Sequence, residues 1–223
     1  MITVHHLNNS RSQRVLWLLE ELGVPYEIRR YMRDSQTMLA PPELRAVHPL
    51  GKSPVITDGG NTIAESGAII EYLVDRYGNG RLIPAPGSPE RLCYDYWLHF
   101  AEGSAMTPLL LKLVFDRIEA APMLFFVKPI ARGVSAKVQN AYIEPNLKRH
   151  LGFMEDELTA RDWFAGSEFS AADIQMSFPL ELSRARAGLD ATRPHLMRFL
   201  ERIHARPAYK SAVAKGGEYA FAS

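Results

Sequence analysis

The chain has 223 residues, 47% of them hydrophobic and 23% charged, with a formal net charge of +1, the balance of an ordinary globular protein of one large or two small domains. Charge so evenly matched excludes the basic stripe of a dedicated nucleic-acid or anionic-membrane binder, and the best apolar run, 108–115, falls short of bilayer length and is broken by Lys112. A single cysteine, Cys93, leaves no disulfide framework, no CxxC pair and no thiolate zinc site, which fits a reducing cytoplasm, and residues 1–6 lack the basic region and apolar core of a secretory signal.

Residues 2–7 (ITVHHL) read as a strand, and 14–22 as a helix stopped by Gly23. The alternation over 26–31 (YEIRRY) suits a half-buried second strand, so the chain opens β-α-β. A Pro-rich stretch follows, with Pro41, Pro42 and Pro49. Residues 53–57 and 62–64 then flank Asp58-Gly59-Gly60-Asn61, the pattern of a hairpin. The helix predicted over 67–77 ends at Gly78 and Gly80. This order implies a small mixed sheet covered by helices.

Pro84, Pro86 and Gly87 mark 81–88 as a linker. The expected organisation is therefore a first domain over 1–80 and a second over 89–223. Ser88-Pro89-Glu90 starts the second domain with an N-cap serine, proline at the first helical position and an acid in the first turn. Strand alternation then disappears. Helices are predicted over about 90–120, 123–158, 171–187, 194–205 and 209–215, an all-α half. Ser170 and Asp173 form the pattern of a capping box, with Phe169 and Ile174 as its hydrophobic staple, a stabilising element.

Three segments in order, 10–22 (SRSQRVLWLLEEL), 51–56 (GKSPVI) and 64–73 (AESGAIIEYL), together with Ser170-Ala171-Ala172-Asp173, resemble the cytosolic glutathione transferase family. The likeness covers nearly the whole chain and has a serine-type, bacterial or fungal flavour. It implies a thioredoxin-like domain with a mixed four-stranded sheet, followed by an all-α domain that shapes a pocket for an apolar electrophile. Glutathione would be a substrate, no metal is expected, and the family is typically homodimeric. The seven histidines show no HxxxH pairing that would argue otherwise.

The resemblance also assigns roles. Pro54 would be cis, and Ser53 would present its backbone to the cysteinyl part of glutathione. Lys52 either approaches the glycyl carboxylate or is simply solvated. Ser66, at a helix N-terminus, would hold the γ-glutamyl carboxylate and Glu65 the γ-glutamyl ammonium; as a plain N-cap, Ser66 would make the same kind of anion site. Ser10 would donate its O–H to the glutathione sulfur and lower the thiol's pKa. Against that stands a capping box of Ser10 with Gln13, which would occupy the hydroxyl with backbone amides, and Ser12 is a second candidate for either task.

His5 or His6 occupies the strand where tyrosine-type members carry their tyrosine, and a paired strand histidine is usually structural. Cys93 is expected in the helical core, which disfavours reductase or peroxidase chemistry. Tyr96, Phe100 and Ser104 share a helix face by four-residue spacing and are the candidate electrophile wall. Phe125 and Phe126 are expected in a core or an interface. Two other functions remain open from sequence: a non-catalytic glutathione-binding or interaction relative, and a glutathione-dependent isomerase or dehalogenase.

Overall fold

A computed structural model describes residues 1–34, 37 and 39–222. Strand β1 (Ile2–Leu7) leads through a short loop into helix α1 (Ser12–Leu22), which Gly23 ends in the left-handed conformation at φ 68°, its N–H returning to the Glu20 and Leu19 carbonyls. Strand β2 (Tyr26–Tyr31) then pairs parallel with β1, Ile2 opposite Tyr26. One feature was not expected: the Pro-rich stretch contains a single-turn helix, α2 (Glu43–Val47). Its Leu44 covers Leu7 and Tyr31 on one sheet face.

Strands β3 (Val55–Asp58) and β4 (Asn61–Ala64) form the anticipated hairpin, with Gly59 at φ 59° in a two-residue loop. Tyr72 and Tyr77 of helix α3 (Ser66–Tyr77) both donate to Asp58 at that turn, tying helix to hairpin. Strand β3 runs antiparallel to β1, so the sheet order is β2-β1-β3-β4. Strand β1 is buried on both faces. Its even residues Ile2 and Val4 enter the main core, while Leu7 packs toward α2. Helix α1 is buried almost all round, since the sheet lies on one side and α3, with two later helices, α8 (Ala171–Arg186) and α10 (Pro207–Gly216), on the others.

After α3 the chain is helical: α4 (Pro89–Phe100), α5 (Met106–Ala120), α6 (Lys128–Val138), α7 (Glu144–Ala160), α8 (Ala171–Arg186), α9 (Pro194–Ala205) and α10 (Pro207–Gly216). Ser88 caps α4 as predicted, accepting the Arg91 N–H at 3.1 Å. The two long helical patterns each contain a π-helical turn, at Ala101–Ala105 and Gln139–Ile143, which separates α4 from α5 and α6 from α7. Residues 123–127 lie outside the helix expected to include them, and Phe125 and Phe126 are exposed, so neither belongs to a core.

Helix α8 is the axis of this half, buried from Ala171 to Ser183. Its start is the predicted capping box, with Asp173 accepting the N–H of Ser170 at 2.8 Å and that of Phe164 at 2.9 Å. Phe169 packs on Trp17 and Trp163. Cys93 is half-buried rather than core, its sulfur accepting from Arg161 at 3.0 Å, because the face of α4 that carries it turns toward the end of α7.

Candidate active site

The strand register brings three loops to one edge of the sheet. The C-terminal end of β1 delivers residues 8–11. Because β3 is antiparallel and pairs Val55 with His5, the Ser53–Pro54 turn lies beside that end. Val55 also pairs with Ala64, so Glu65 and Ser66 follow at the same edge.

At Ser53–Pro54 the peptide is cis, and Ser53 donates its hydroxyl to the His5 carbonyl at 2.9 Å. That fixes the residue whose backbone edge was assigned to the cysteinyl unit. Lys52 is exposed. Glu65, also exposed, has φ 72° and ψ 126° at the start of α3, a conformation that non-glycine residues rarely adopt and that concentrates at functional sites. Ser66 is buried, and its hydroxyl accepts from Arg14 at 3.2 Å.

Arg14 is the residue that sequence inspection undervalued. It sits on α1, fully buried, and donates to the Gln175 carbonyl at 2.5 Å, to Ser66 and to Glu102 at 2.5 Å. Arg11 holds the same carboxylate at 2.9 Å. Burial pushes the Glu102 carboxyl up, but Arg14 and Arg11 outweigh it and hold the group below its usual range. One cation thus links α1, α3, α8 and the first π-turn. The signal available in sequence was an arginine inside an otherwise apolar helix, which a buried helix tolerates only with partners.

Ser10 lies in the loop before α1, 3% exposed. The capping box with Gln13 does not form: α1 begins at Ser12, and neither amide atom of the Gln13 side chain has a protein partner. Ser10 Oγ instead accepts the Ser12 N–H at 3.2 Å and lies 2.7 Å from Ser12 Oγ, which lies 2.9 Å from His6 Nδ1. Burial lowers the His6 pKa to about 4, with Arg30 acting the same way and a hydrogen bond to the Gly216 backbone opposing both. His6 is therefore neutral at physiological pH. His5, equally buried, meets the Tyr31 hydroxyl at 2.9 Å through Nδ1. Both histidines have structural partners.

The candidate electrophile wall of Tyr96, Phe100 and Ser104 stands apart from the β1–α1 loop. Tyr96 is half exposed and stacks on Phe100, and both join Trp97 and Phe153 in an aromatic cluster between α4 and α7. The cleft beside the β1–α1 loop, of about 360 Å³, is lined by Asn9 and Arg11 on one side and by α5, α8 and the C-terminal tail on the other. Tyr96, Phe100 and Ser104 are not among its residues. The π-turn at Ala101–Ala105 breaks the four-residue spacing between Phe100 and Ser104, while Tyr96 and Phe100 keep theirs on a face that meets α7. Met106, Leu109 and Leu113 on α5 supply the apolar floor of this cleft.

With this geometry in place, comparison with known proteins is decisive. Residues 10–76 match the family model for the glutathione S-transferase N-terminal domain, and 115–207 match that for its C-terminal domain. The chain belongs to the glutathione transferase family. It is 36% identical to glutathione S-transferase 3 of Schizosaccharomyces pombe, over 96% of this chain and 88% of that one. Its identity to glutathione S-transferase 1 of Saccharomyces cerevisiae is 31%, covering 96% and 95%. A solved glutathione S-transferase from Actinobacillus pleuropneumoniae superposes with a TM-score of 0.84 at 35% identity, over 99% of this chain and 95% of that one. A sphingomonad glutathione S-transferase, solved in complex with glutathione, aligns at 26% identity with a TM-score of 0.71 over 96% and 98%.

Proposed function

We propose that this protein is a glutathione transferase in which the Ser10 loop activates the glutathione thiol for attack on an apolar electrophile held in the adjoining cleft. The observation that carries this is the convergence of a cis-proline backbone edge, a strained Glu65 and a buried Ser66 at the sheet edge where Ser10 emerges. The tripeptide's cysteinyl backbone pairs with Ser53. Its γ-glutamyl carboxylate sits at Ser66 and the N-terminus of α3, and the γ-glutamyl ammonium at Glu65. Lys52 stands on the exposed side, where the glycyl carboxylate ends. Glutathione is consumed as a substrate. The same reading makes the protein a cytoplasmic homodimer, for which the exposed apolar side chains of 124–130 supply surface.

The hydrogen bonds around Ser10 support a donor role. With the His6 ring bonded to the Gly216 backbone, Nδ1 accepts from Ser12, and the one proton of Ser10 then fills the Ser10–Ser12 contact. To donate to sulfur, Ser10 turns its proton outward, and Ser12 turns its own proton from His6 Nδ1 to Ser10 Oγ. The thiolate gains a donor, and the thiol pKa falls from its ordinary value near ~8.5. Attack on the electrophile forms the carbon–sulfur bond as the leaving group departs with the bonding electron pair. Binding both partners in one cleft supplies proximity.

Two variants test the site. Ser10→Ala should raise the pKa of bound glutathione by roughly 1–2 units and lower kcat at neutral pH by about 10- to 100-fold, the value of one hydrogen bond to a charged group, with KM for glutathione little changed. A variant that instead melts earlier and keeps its turnover would assign Ser10 to the start of α1. Ser66→Ala should weaken glutathione binding by about tenfold without changing the fold. Unchanged affinity by calorimetry would remove Ser66 from the site.

A further inference from the structure

The cleft beside Ser10 combines an apolar floor with an excess of positive charge. Its lining includes Arg11, Arg33, Lys112, Arg117 and Arg186, and among the described residues it includes no carboxylate. Arg11 is neutralised by Glu102, and Lys112 by Asp116 at 3.1 Å. Neither Arg117 nor Arg186 has a carboxylate within ion-pair distance among the described residues. Arg186 lies over the Phe221 ring, 5.3 Å from its centroid. Burial lowers the Arg33 pKa, and Arg117 and Arg11 lower it further, which places these cations in one another's field.

Cations stand at both ends of the cleft, with Arg11 and Arg33 beside the β1–α1 loop, where the Arg33 N–H donates to Asn8 Oδ1 at 3.0 Å. Phe178 lies under the Arg11 and Arg14 guanidiniums, at the Ser10 end. From there α8 runs on to Arg186, and α5 runs from Met106 to Arg117, advances of roughly 12 and 16 Å at about 1.5 Å per residue. The far end of the cleft is therefore cationic, and the part between is apolar, with Leu109, Leu113 and Leu182. Helix C-termini favour basic residues on their own account, and both arginines stand in last turns. That explains one cation at each helix end. It does not explain why two such ends, together with Arg33 from the segment after β2, converge on a single apolar cleft.

We propose that the second substrate is an amphipathic anion: an apolar, typically aromatic electrophile whose reactive carbon faces Ser10 and whose carboxylate or comparable anionic group is held by Arg117 and Arg186. The inference rests on the glutathione site described above. Arg117 and Arg186 are exposed at the mouth of the cleft, and a guanidinium there favours a carboxylate over a neutral group of similar shape. Such a substrate would place its apolar part on Leu109, Leu113 and Leu182 and its anionic group at the exposed arginines.

The test is equilibrium binding to the glutathione-loaded protein of two unreactive probes of matched shape, 3,5-dinitrobenzoate and 1,3-dinitrobenzene. Glutathione binding is measured first, in the same buffer. The expected result is that the carboxylate binds at least about tenfold more tightly. Its advantage should shrink as salt is raised from about 0.05 M to about 0.5 M and disappear in the double variant Arg117→Met/Arg186→Met. Equal affinities, no binding of either probe, or an advantage that survives the double variant would overturn the proposal while leaving the glutathione site standing. Loss of glutathione binding itself in the wild-type protein would overturn the site reading instead.

Discussion

Replacing Arg14 with leucine is expected to lower stability by about 3 kcal/mol and to weaken glutathione capture in whatever protein remains folded. The guanidinium is buried and feeds three acceptors: the Gln175 carbonyl, the Ser66 hydroxyl and Glu102. Leucine fills part of the volume but leaves the carbonyl without a donor and Glu102 with Arg11 alone. Removing one partner of a buried ion pair costs about 3–5 kcal/mol. The lower end applies because Glu102 is 32% exposed and keeps its second cation. For a chain of this length that corresponds to a melting temperature lower by roughly 6–12 °C. Lysine should not rescue the variant, because a point charge cannot serve three acceptors set in a planar fork. Thermal melts of both variants beside the wild type check this, and a change under about 1 kcal/mol would show that the network is dispensable.

Asp173→Ala should cost as much or more. The carboxylate is fully buried and satisfies two backbone N–H groups, of Phe164 and Ser170, as well as the Ser170 hydroxyl at 3.0 Å. Each backbone donor left unpaired in the core costs about 1–3 kcal/mol, and loss of the cap adds about 1 kcal/mol. A loss of about 3–5 kcal/mol follows, or roughly 10 °C in melting temperature. The same group gives a pH signature. Burial pushes its pKa from 3.8 up to about 6, against the pull of the N–H donors. The folded state then keeps a proton that the unfolded chain releases, so this group's contribution to stability falls as pH rises through that window. Asp173→Asn should flatten that part of the stability profile. A profile identical to the wild type's would contradict the assignment.

Much of the fold was legible because its signals are local. Gly23 ending α1, the Asp58-Gly59-Gly60-Asn61 hairpin, Ser88-Pro89 opening α4 and the Ser170/Asp173 box each depend on residues within a few positions of one another. The candidate glutathione residues were legible for a different reason: they belong to short segments that resemble a family. What sequence missed depends on long-range partners. Arg14 looked like one more helical residue because its acceptors lie on α3, α8 and a π-turn far along the chain. The Ser10–Gln13 box was plausible locally, yet Ser10 turns to Ser12, which packing holds against His6. Tyr96 and Phe100 share a face, as their spacing predicts, but that face meets α7, whereas the cleft beside the Ser10 loop is reached by α5 beyond a π-turn that has no simple sequence signature.

The central claim, a glutathione site that activates sulfur at Ser10, is tested most directly by titrating the purified wild-type protein with glutathione at neutral pH while following the ultraviolet absorbance of the thiolate. A saturable thiolate signal, absent from Ser10→Ala at the same occupancy, is the predicted result. Saturable binding with no thiolate, or a signal that Ser10→Ala retains in full, would contradict it.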